Sequence, residues 1–331
     1  MSNDILVFAE HQAGRLTRPT WEALAAGQSL AADLGTTVSA VILGSHVEPL
    51  ATELAAADVT DVISVESPLL ANYTPDGYTL ALRDLIRERQ PRFVVFSHTY
   101  LVRDFVPKLG AALDRNFVGD CLGYRHESGR LIFVRQLFQG KFNADVEFAG
   151  DAPYLVSFQA ASFREDSVRR GAAPAKVTTG AAALSPESIR QKPGERFREA
   201  KQAVDLTQAE IIVAVGRGIK KPENLDLARN LASALGGEIG ASRPICDSGW
   251  LPMDRQIGSS GQTVAPKLYV ALGVSGAIQH QVGMKGSRTV VAVNKDKEAP
   301  IFEVATYGIV GDLFEVVPPL IEEIKKVRAG S

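Results

Sequence analysis

Only two of the 331 residues are cysteine, Cys121 and Cys246, and their placement offers no metal-ligand or disulfide spacing. Both are expected to be plain thiols, as in a reducing compartment. The five histidines are scattered, so no His/Cys metal cluster can be read. Charge of one sign is lacking too: 36 Lys and Arg face 38 Asp and Glu, for a net charge of −2. That balance gives no nucleic-acid or membrane-surface footprint. No apolar run approaches the roughly 20 residues of a membrane span. Met-Ser-Asn-Asp at the start has no basic, then apolar, leader pattern. A cytoplasmic location without direct membrane insertion is the expectation. Several catalytic signatures are also missing. Gly216-Arg217-Gly218 continues as Ile-Lys-Lys, so no G-x-G-x-x-G is present. There is no P-loop and no G-x-S-x-G elbow. Without a nucleophile or general-base constellation, hydrolase and transferase chemistry is disfavoured. A bound redox cofactor would bring its own chemistry and ask the protein only to bind and tune it.

What is present is an ordinary globular composition, 45% hydrophobic and 22% charged, with length for two domains. Strand-like and helix-like runs alternate through the first half. Strands are expected at 4–10, 38–44, 62–66 and 93–97, with helices at 20–34, 48–57, 77–88 and 101–113 between and after them. Thr20 is a candidate cap and Gly35 a stop for the first helix. Alternation of this kind predicts a parallel sheet covered by helices on both faces. After Asp120 the pattern changes. Runs around Ser128-Gly129 and Gln139-Gly140 suggest antiparallel hairpins, followed by a strand at 154–158. The stretch 164–203 is charged, rich in Ala, Gly and Pro, and reads as linker and connections. Alternation resumes with strands at 211–215 and 238–241 and a helix at 224–235; the last helix is expected at 312–327. The fold class is therefore α/β with two domains: a parallel-sheet domain over 1–190, a linker at 191–203 and a Rossmann-like domain over 204–331.

The densest stretch runs from Pro266 to Phe314. An apolar strand, Lys267 to Leu272, meets a small-residue turn, Gly273-Val274-Ser275-Gly276, and a helix opens at Ala277-Ile278-Gln279-His280. A second strand from Thr289 ends in Asn294-Lys295-Asp296. Strand, turn and helix together aim free backbone N–H groups, aided by the helix dipole, at one point. A phosphate fits there, although the same residues could form a plain turn with a capping Ser. Polar residues on neighbouring strand ends suit the rest of a nucleotide.

ALGVSGAIQH, VNKD, APIF and YGIVGDLFEVVP in this stretch resemble the FAD-binding domain of the electron transfer flavoprotein α-subunit family. The resemblance is strong after about residue 205 and weaker before 150. It implies FAD bound in the C-terminal domain and an electron carrier rather than a substrate-converting enzyme. It also implies a heterodimer with a β-subunit that carries AMP or a second FAD, and a flavin domain that swings between donor and acceptor. Two variants are compatible with it. One takes electrons from flavoprotein dehydrogenases, such as acyl-CoA dehydrogenases, and passes them to a quinone reductase or other acceptor. The other bifurcates, oxidising NADH. A non-redox nucleotide-binding protein is the alternative from another class.

Residue by residue, the resemblance places Gly273, Ser275 and Gly276 at the cofactor pyrophosphate, and Gln279 and His280 at the flavin, His280 near the pyrimidine carbonyl. It places Arg217 beside phosphates and flavin, and Arg243 against the ring system. In the polar loop Gln256-Ile257-Gly258-Ser259-Ser260, the hydroxyl of Ser260 would lie near flavin N5. Ser259 departs from the family's usual Gln. Asn294 and Asp312 match adenosine-end contacts; on sequence alone, Asp312 is equally a helix N-cap.

Overall fold

The computed structural model describes residues 4–138, 141–180, 182–194 and 205–329. Two compact units emerge, one of Met1–Leu137 with Lys141–Arg196, the other of Phe138–Gly140 with Phe197–Ser331. Of the linker expected at 191–203, all but 191–194 lies outside the described residues.

The first unit begins with strand β1 (Ile5–Ala9), whose five residues are all buried. A small hairpin, β2 (His11–Gln12) and β3 (Arg15–Leu16), leads into helix α1 (Arg18–Leu34). Thr17 rather than Thr20 is its N-cap. Thr20 is instead buried inside the first turn, where its hydroxyl accepts from the Glu10 N–H and donates to the Glu10 carbonyl. Gly35 stops the helix in the left-handed region (φ 61°), as expected. Then come β4 (Val38–Gly44), α2 (Glu48–Leu54), β5 (Asp61–Glu66), α3 (Pro75–Arg89), β6 (Phe93–Ser97) and α4 (Tyr100–Leu113). Thr74 and Thr99 cap α3 and α4 through their hydroxyls. Strands β7 (Phe117–Glu127), β8 (Arg130–Leu137) and β9 (Phe142–Val146) form the expected antiparallel meander. Next is β10 (Tyr154–Phe158), inserted between β6 and β7 and parallel to both.

One strand of this unit was not legible in advance. The segment read as linker contains β11 (Lys176–Gly180), which pairs in parallel with β5 and forms the far edge of a nine-stranded sheet, order β11-β5-β4-β1-β6-β10-β7-β8-β9. Apolar side chains cover both faces, with Phe8, Phe96 and Phe105 on one and Leu24, Leu30 and Phe133 on the other. Fully burying one such side chain contributes on the order of 1.5–3 kcal/mol.

The second unit is smaller and wholly parallel. Its sheet has the order β13-β12-β14-β15-β16, formed by β12 (Ile211–Val215), β13 (Glu238–Ala241), β14 (Leu268–Leu272), β15 (Thr289–Asn294) and β16 (Tyr307–Val310). Helices α5 (Leu225–Leu235) and α8 (Leu313–Ala329) pack on one face through Leu231, Val317 and Ile321. Short helices α6 (Arg243–Asp247) and α7 (Ile278–Val282) follow β13 and β14. Strand β16 is an addition to the sequence reading; all four of its residues are exposed. No described helix is long and apolar enough to cross a membrane.

Candidate functional site at the strand ends of the C-terminal unit

Every strand of the second sheet ends, at its carboxyl side, on a residue singled out from the sequence. Arg243 follows β13, Gly216 and Arg217 follow β12, Gly273 to Gly276 follow β14, Asn294 closes β15, and Asp312 lies just beyond β16. Parallel strands lie about 4.8 Å apart, so this row spans roughly 19 Å. An extended ligand laid across the strand ends would meet the residues in that order.

In the middle, the loops after β12 and β14 touch backbone to backbone. A Cβ on Gly216 would overlap the Gly273 carbonyl, and one on Gly218 would come within 2.6 Å of the Gly273 Cα. Only glycine permits that approach. The turn 273–276 is then fixed from the other side. Asn294 Nδ2 donates to the Val274 carbonyl at 2.8 Å, and the Ile301 N–H donates to the Ser275 carbonyl at 3.1 Å. The N–H groups of Val274, Ser275 and Gly276 donate to nothing among the described residues. Helix α7 is only five residues long. The dipole expected from it is correspondingly slight, and the loop's own free N–H groups are the donors an anion would meet there. The exposed Arg217 guanidinium makes no hydrogen bond or ion pair among the described residues.

At one end of the row, the loop 256–261 lies beside Ala241, two residues before Arg243. The Ile257 N–H donates to the Ala241 carbonyl at 2.9 Å. The loop is also tied to α7, because the Ser259 N–H donates to the Gln279 carbonyl at 2.7 Å. Gln256 is buried; its Nε2 donates to Ser260 Oγ at 3.0 Å, while its Oε1 has no partner among the described residues. That bond leaves the Ser260 hydrogen free to point outward, with Ser259 and Ser260 both exposed. Arg243 is exposed and, among the described residues, held only by Asp247, Nε to Oδ2 at 3.2 Å. His280 is buried, its Nε2 lies 2.8 Å from the Tyr269 hydroxyl, and its Nδ1 makes no hydrogen bond among the described residues. Desolvation pushes its pKa down to about 4, opposed only weakly by the Ile257 backbone, so the ring is neutral at pH 7.

At the other end, Asp312 does cap α8, accepting from the Phe314 N–H at 3.0 Å. It also pairs with Lys295 Nζ at 2.6 Å, with Lys220 at 4.0 Å. The Lys295 bond holds its carboxyl below the usual range. Asn294 likewise has a local task, accepting from the Asp296 N–H at 3.1 Å besides holding the turn.

Two features escaped the sequence. Lys295 and Lys220 converge on Asp312 only because β15 and β12 end near it. The sequence pattern places Tyr269 in an apolar strand and gives it no polar partner. The available signal was a phenol in the otherwise aliphatic strand Leu-Tyr-Val-Ala-Leu, since a buried hydroxyl needs a partner.

Three of the four buried side-chain atoms without a partner among the described residues, Asp254 Oδ1, Gln256 Oε1 and His280 Nδ1, lie in this C-terminal unit. Such orphans are costly unless a ligand answers them. Residues 205–285 match the model of the electron transfer flavoprotein FAD-binding domain, and residues 5–185 match the electron transfer flavoprotein domain. The chain belongs to the electron transfer flavoprotein α-subunit family. It is 40% identical over 326 residues to the electron transfer flavoprotein subunit alpha of Thermoanaerobacterium thermosaccharolyticum, covering 98% of each chain. It is 38% identical over 336 residues to that of Bacillus subtilis, covering 100% of both. It is also 37% identical to the acryloyl-CoA reductase electron transfer subunit beta of Anaerotignum propionicum, covering 98% of this chain and 96% of the relative. This flavoprotein chain is thus an FAD-binding electron carrier. The row of glycine-backed N–H groups, free cation and orphaned polar atoms fits a dinucleotide whose flavin and adenosine lie at opposite ends.

Proposed function

We propose that this α-subunit holds FAD across the five strand ends, with the flavin between Arg243, the 256–260 loop and Gln279-His280. The pyrophosphate would rest on Gly273, Ser275, Gly276 and Arg217, and the adenosine on Asn294 and Asp312. The single observation that carries the reading is the coincidence of unanswered donors and orphaned buried atoms with the carboxyl edge of this one sheet. Bound FAD supplies one- and two-electron chemistry. The chain's part is to bind and tune. Neutral donors and the Arg243 charge stabilise negative charge that arrives with electrons, and Ser260 presents a hydroxyl to the ring.

The same reading includes a heterodimer with an electron transfer flavoprotein β-subunit that carries AMP or a second FAD. Exposed Leu137, Phe138 and Phe142, in and beside β8 and β9, are the kind of apolar surface a permanent partner covers. Electrons would arrive from a flavoprotein dehydrogenase, such as an acyl-CoA dehydrogenase, and leave to a quinone reductase or another acceptor. The name of the Anaerotignum relative, an electron transfer subunit of acryloyl-CoA reductase, supports a CoA-thioester enzyme as redox partner. The test is to purify the chain with its β-subunit and count flavins and AMP per heterodimer. One FAD with one AMP is expected; two flavins with NADH-dependent reduction would replace this reading by a bifurcating one. A complex without flavin absorbance would overturn it.

A further inference from the structure

Tyr269 is the second residue of β14, fully buried, and its hydroxyl has one polar neighbour among the described residues, His280 Nε2 at 2.8 Å. The two rings meet edge to face at 6.2 Å. A phenol can donate one hydrogen and accept others, while a neutral imidazole has one donor and one acceptor nitrogen. Two arrangements are possible. If Nε2 carried the proton it would donate to the phenol, and the phenol hydrogen would be buried without an acceptor. Nδ1 would then be a bare acceptor, also without a partner. If the phenol donates to Nε2, its hydrogen is used, and the ring proton sits on Nδ1. The first arrangement leaves a buried donor and a buried acceptor unmade, and the second leaves only the Nδ1–H, which a ligand at the site can answer, so the second arrangement wins within the Tyr269–His280 pair.

We propose that Tyr269 is a positioning residue that fixes His280 in the Nδ1–H tautomer, so that a neutral imidazole presents an N–H donor to the flavin. The burial that keeps the ring uncharged at pH 7 agrees with this: His280 supplies a dipole rather than a charge. Without the phenol, the tautomer that turns a lone pair toward the flavin would become populated. A lone pair facing gathering negative charge opposes reduction, whereas an N–H favours it. The idea rests on the FAD reading of the site, but its first test does not.

The experiment uses the full heterodimer with nitrogen-15-labelled histidine, first freed of flavin and then loaded. In the flavin-free wild type, His280 should show a protonated-type shift at Nδ1 and an unprotonated, hydrogen-bonded shift at Nε2. A proton on Nε2 overturns the proposal without any variant, and this arm stands even if the site holds something other than FAD. In Tyr269→Phe the Nε2–H form should grow. With FAD bound, the preference for the one-electron-reduced state should fall up to about tenfold, or about 59 mV. His280→Asn removes the tautomer question. In that background Tyr269→Phe should leave the potential unchanged. A shift of equal size there would mean that Tyr269 acts through packing, and would overturn the assignment. So would an unchanged tautomer and potential in Tyr269→Phe alone.

Discussion

At the carboxyl ends of β1 and β6 the first unit ties its polar side chains to one another, whereas the second unit leaves several polar side-chain atoms open. In the first, the Glu10 carboxylate just after β1 accepts from the Thr99 hydroxyl at 2.8 and 3.0 Å. Thr17 and Thr20 close on the Glu10 backbone, and His98 after β6 lies 2.8 Å from Ser157 on β10. The point where strand order reverses, between β1 and β6, is the usual ligand crevice of such a sheet. Here it is filled by an acidic group that burial lifts to a pKa of about 7. In the second unit the corresponding edge has free N–H groups in the turn after β14 and orphaned atoms on Gln256 and His280. One architecture serves as a sealed scaffold in one place and as an open site in the other. What separates them is whether the polar side chains at those strand ends already have partners.

The sharpest way to break the contrast is to fill the open edge. Gly276 has φ 80°, and a Cβ there would overlap the Ile301 backbone N. Gly276→Val combines left-handed strain with overpacking and should cost on the order of 3 kcal/mol or more. FAD content of the purified heterodimer should collapse, read by visible absorbance and by melting temperature; normal flavin content would refute the role given to this turn.

A second test separates the units by pH. Glu10 has a folded pKa raised from 4.5 to about 7. Its contribution to stability is full below 4.5 and is lost as pH rises through about 7. His280 is lowered from 6.5 to about 4, so its contribution is present above 6.5 and lost as pH falls through about 4. Between 4.5 and 6.5 the two slopes oppose each other. Burial lifts Glu22 of the same unit from 4.5 to about 7 as well, so Glu10→Gln should lessen but not abolish the first unit's loss between pH 4.5 and 7, by an amount on the order of a few kcal/mol, while leaving FAD content intact. Denaturant titrations at several pH values would show it, and an unchanged pH slope would mean Glu10 is not the titrating group.

Arg243 tests charge at the open edge. A hydrogen bond to a charged group contributes about 1.5–3 kcal/mol, so Arg243→Ala should lower the first one-electron potential of the bound flavin by roughly 65–130 mV. Arg243→Lys should recover only part, because an ammonium cannot stack or fork like a guanidinium. Spectroelectrochemical titration checks both, and an unmoved potential at normal flavin content would remove Arg243 from the tuning residues. The smallest effect is expected at Asp312. Its cap on α8 is worth about 1 kcal/mol, so Asp312→Ala should lower stability by about that much. FAD affinity should fall as well if the carboxylate also meets the adenosine; equal affinity would leave Asp312 as a cap alone.

Much of this was legible in the sequence for a physical reason. Strands buried on both faces read as unbroken apolar runs, so Val38–Gly44, Phe93–Ser97, Tyr154–Phe158 and Ile211–Val215 are strands over the expected residues. Edge strands lack that signature. Lys176–Gly180 (Lys-Val-Thr-Thr-Gly) is half polar and sits in an Ala- and Pro-rich stretch, and Tyr307–Val310 is exposed throughout. The positions of Arg217, Ser275 and Asn294 at strand ends followed from alternation alone. The pairing of Tyr269 with His280, and of Lys295 with Asp312, did not. These are contacts across elements, which only the fold brings together.

Strand β10 has a consequence for how the chain is made. It enters the sheet between β6 and β7, although both precede it in sequence. While the ribosome has delivered only the first 150 residues, the meander β7-β8-β9 can form locally but has no neighbour through which to join β6. Both pieces then show an unpaired apolar edge, the condition that invites mispairing and chaperone capture. Emergence of Tyr154–Phe158 closes the gap with one segment, binding β6 on one side and β7 on the other. A pause in translation just before this segment would prolong the vulnerable interval, and one just after it would not.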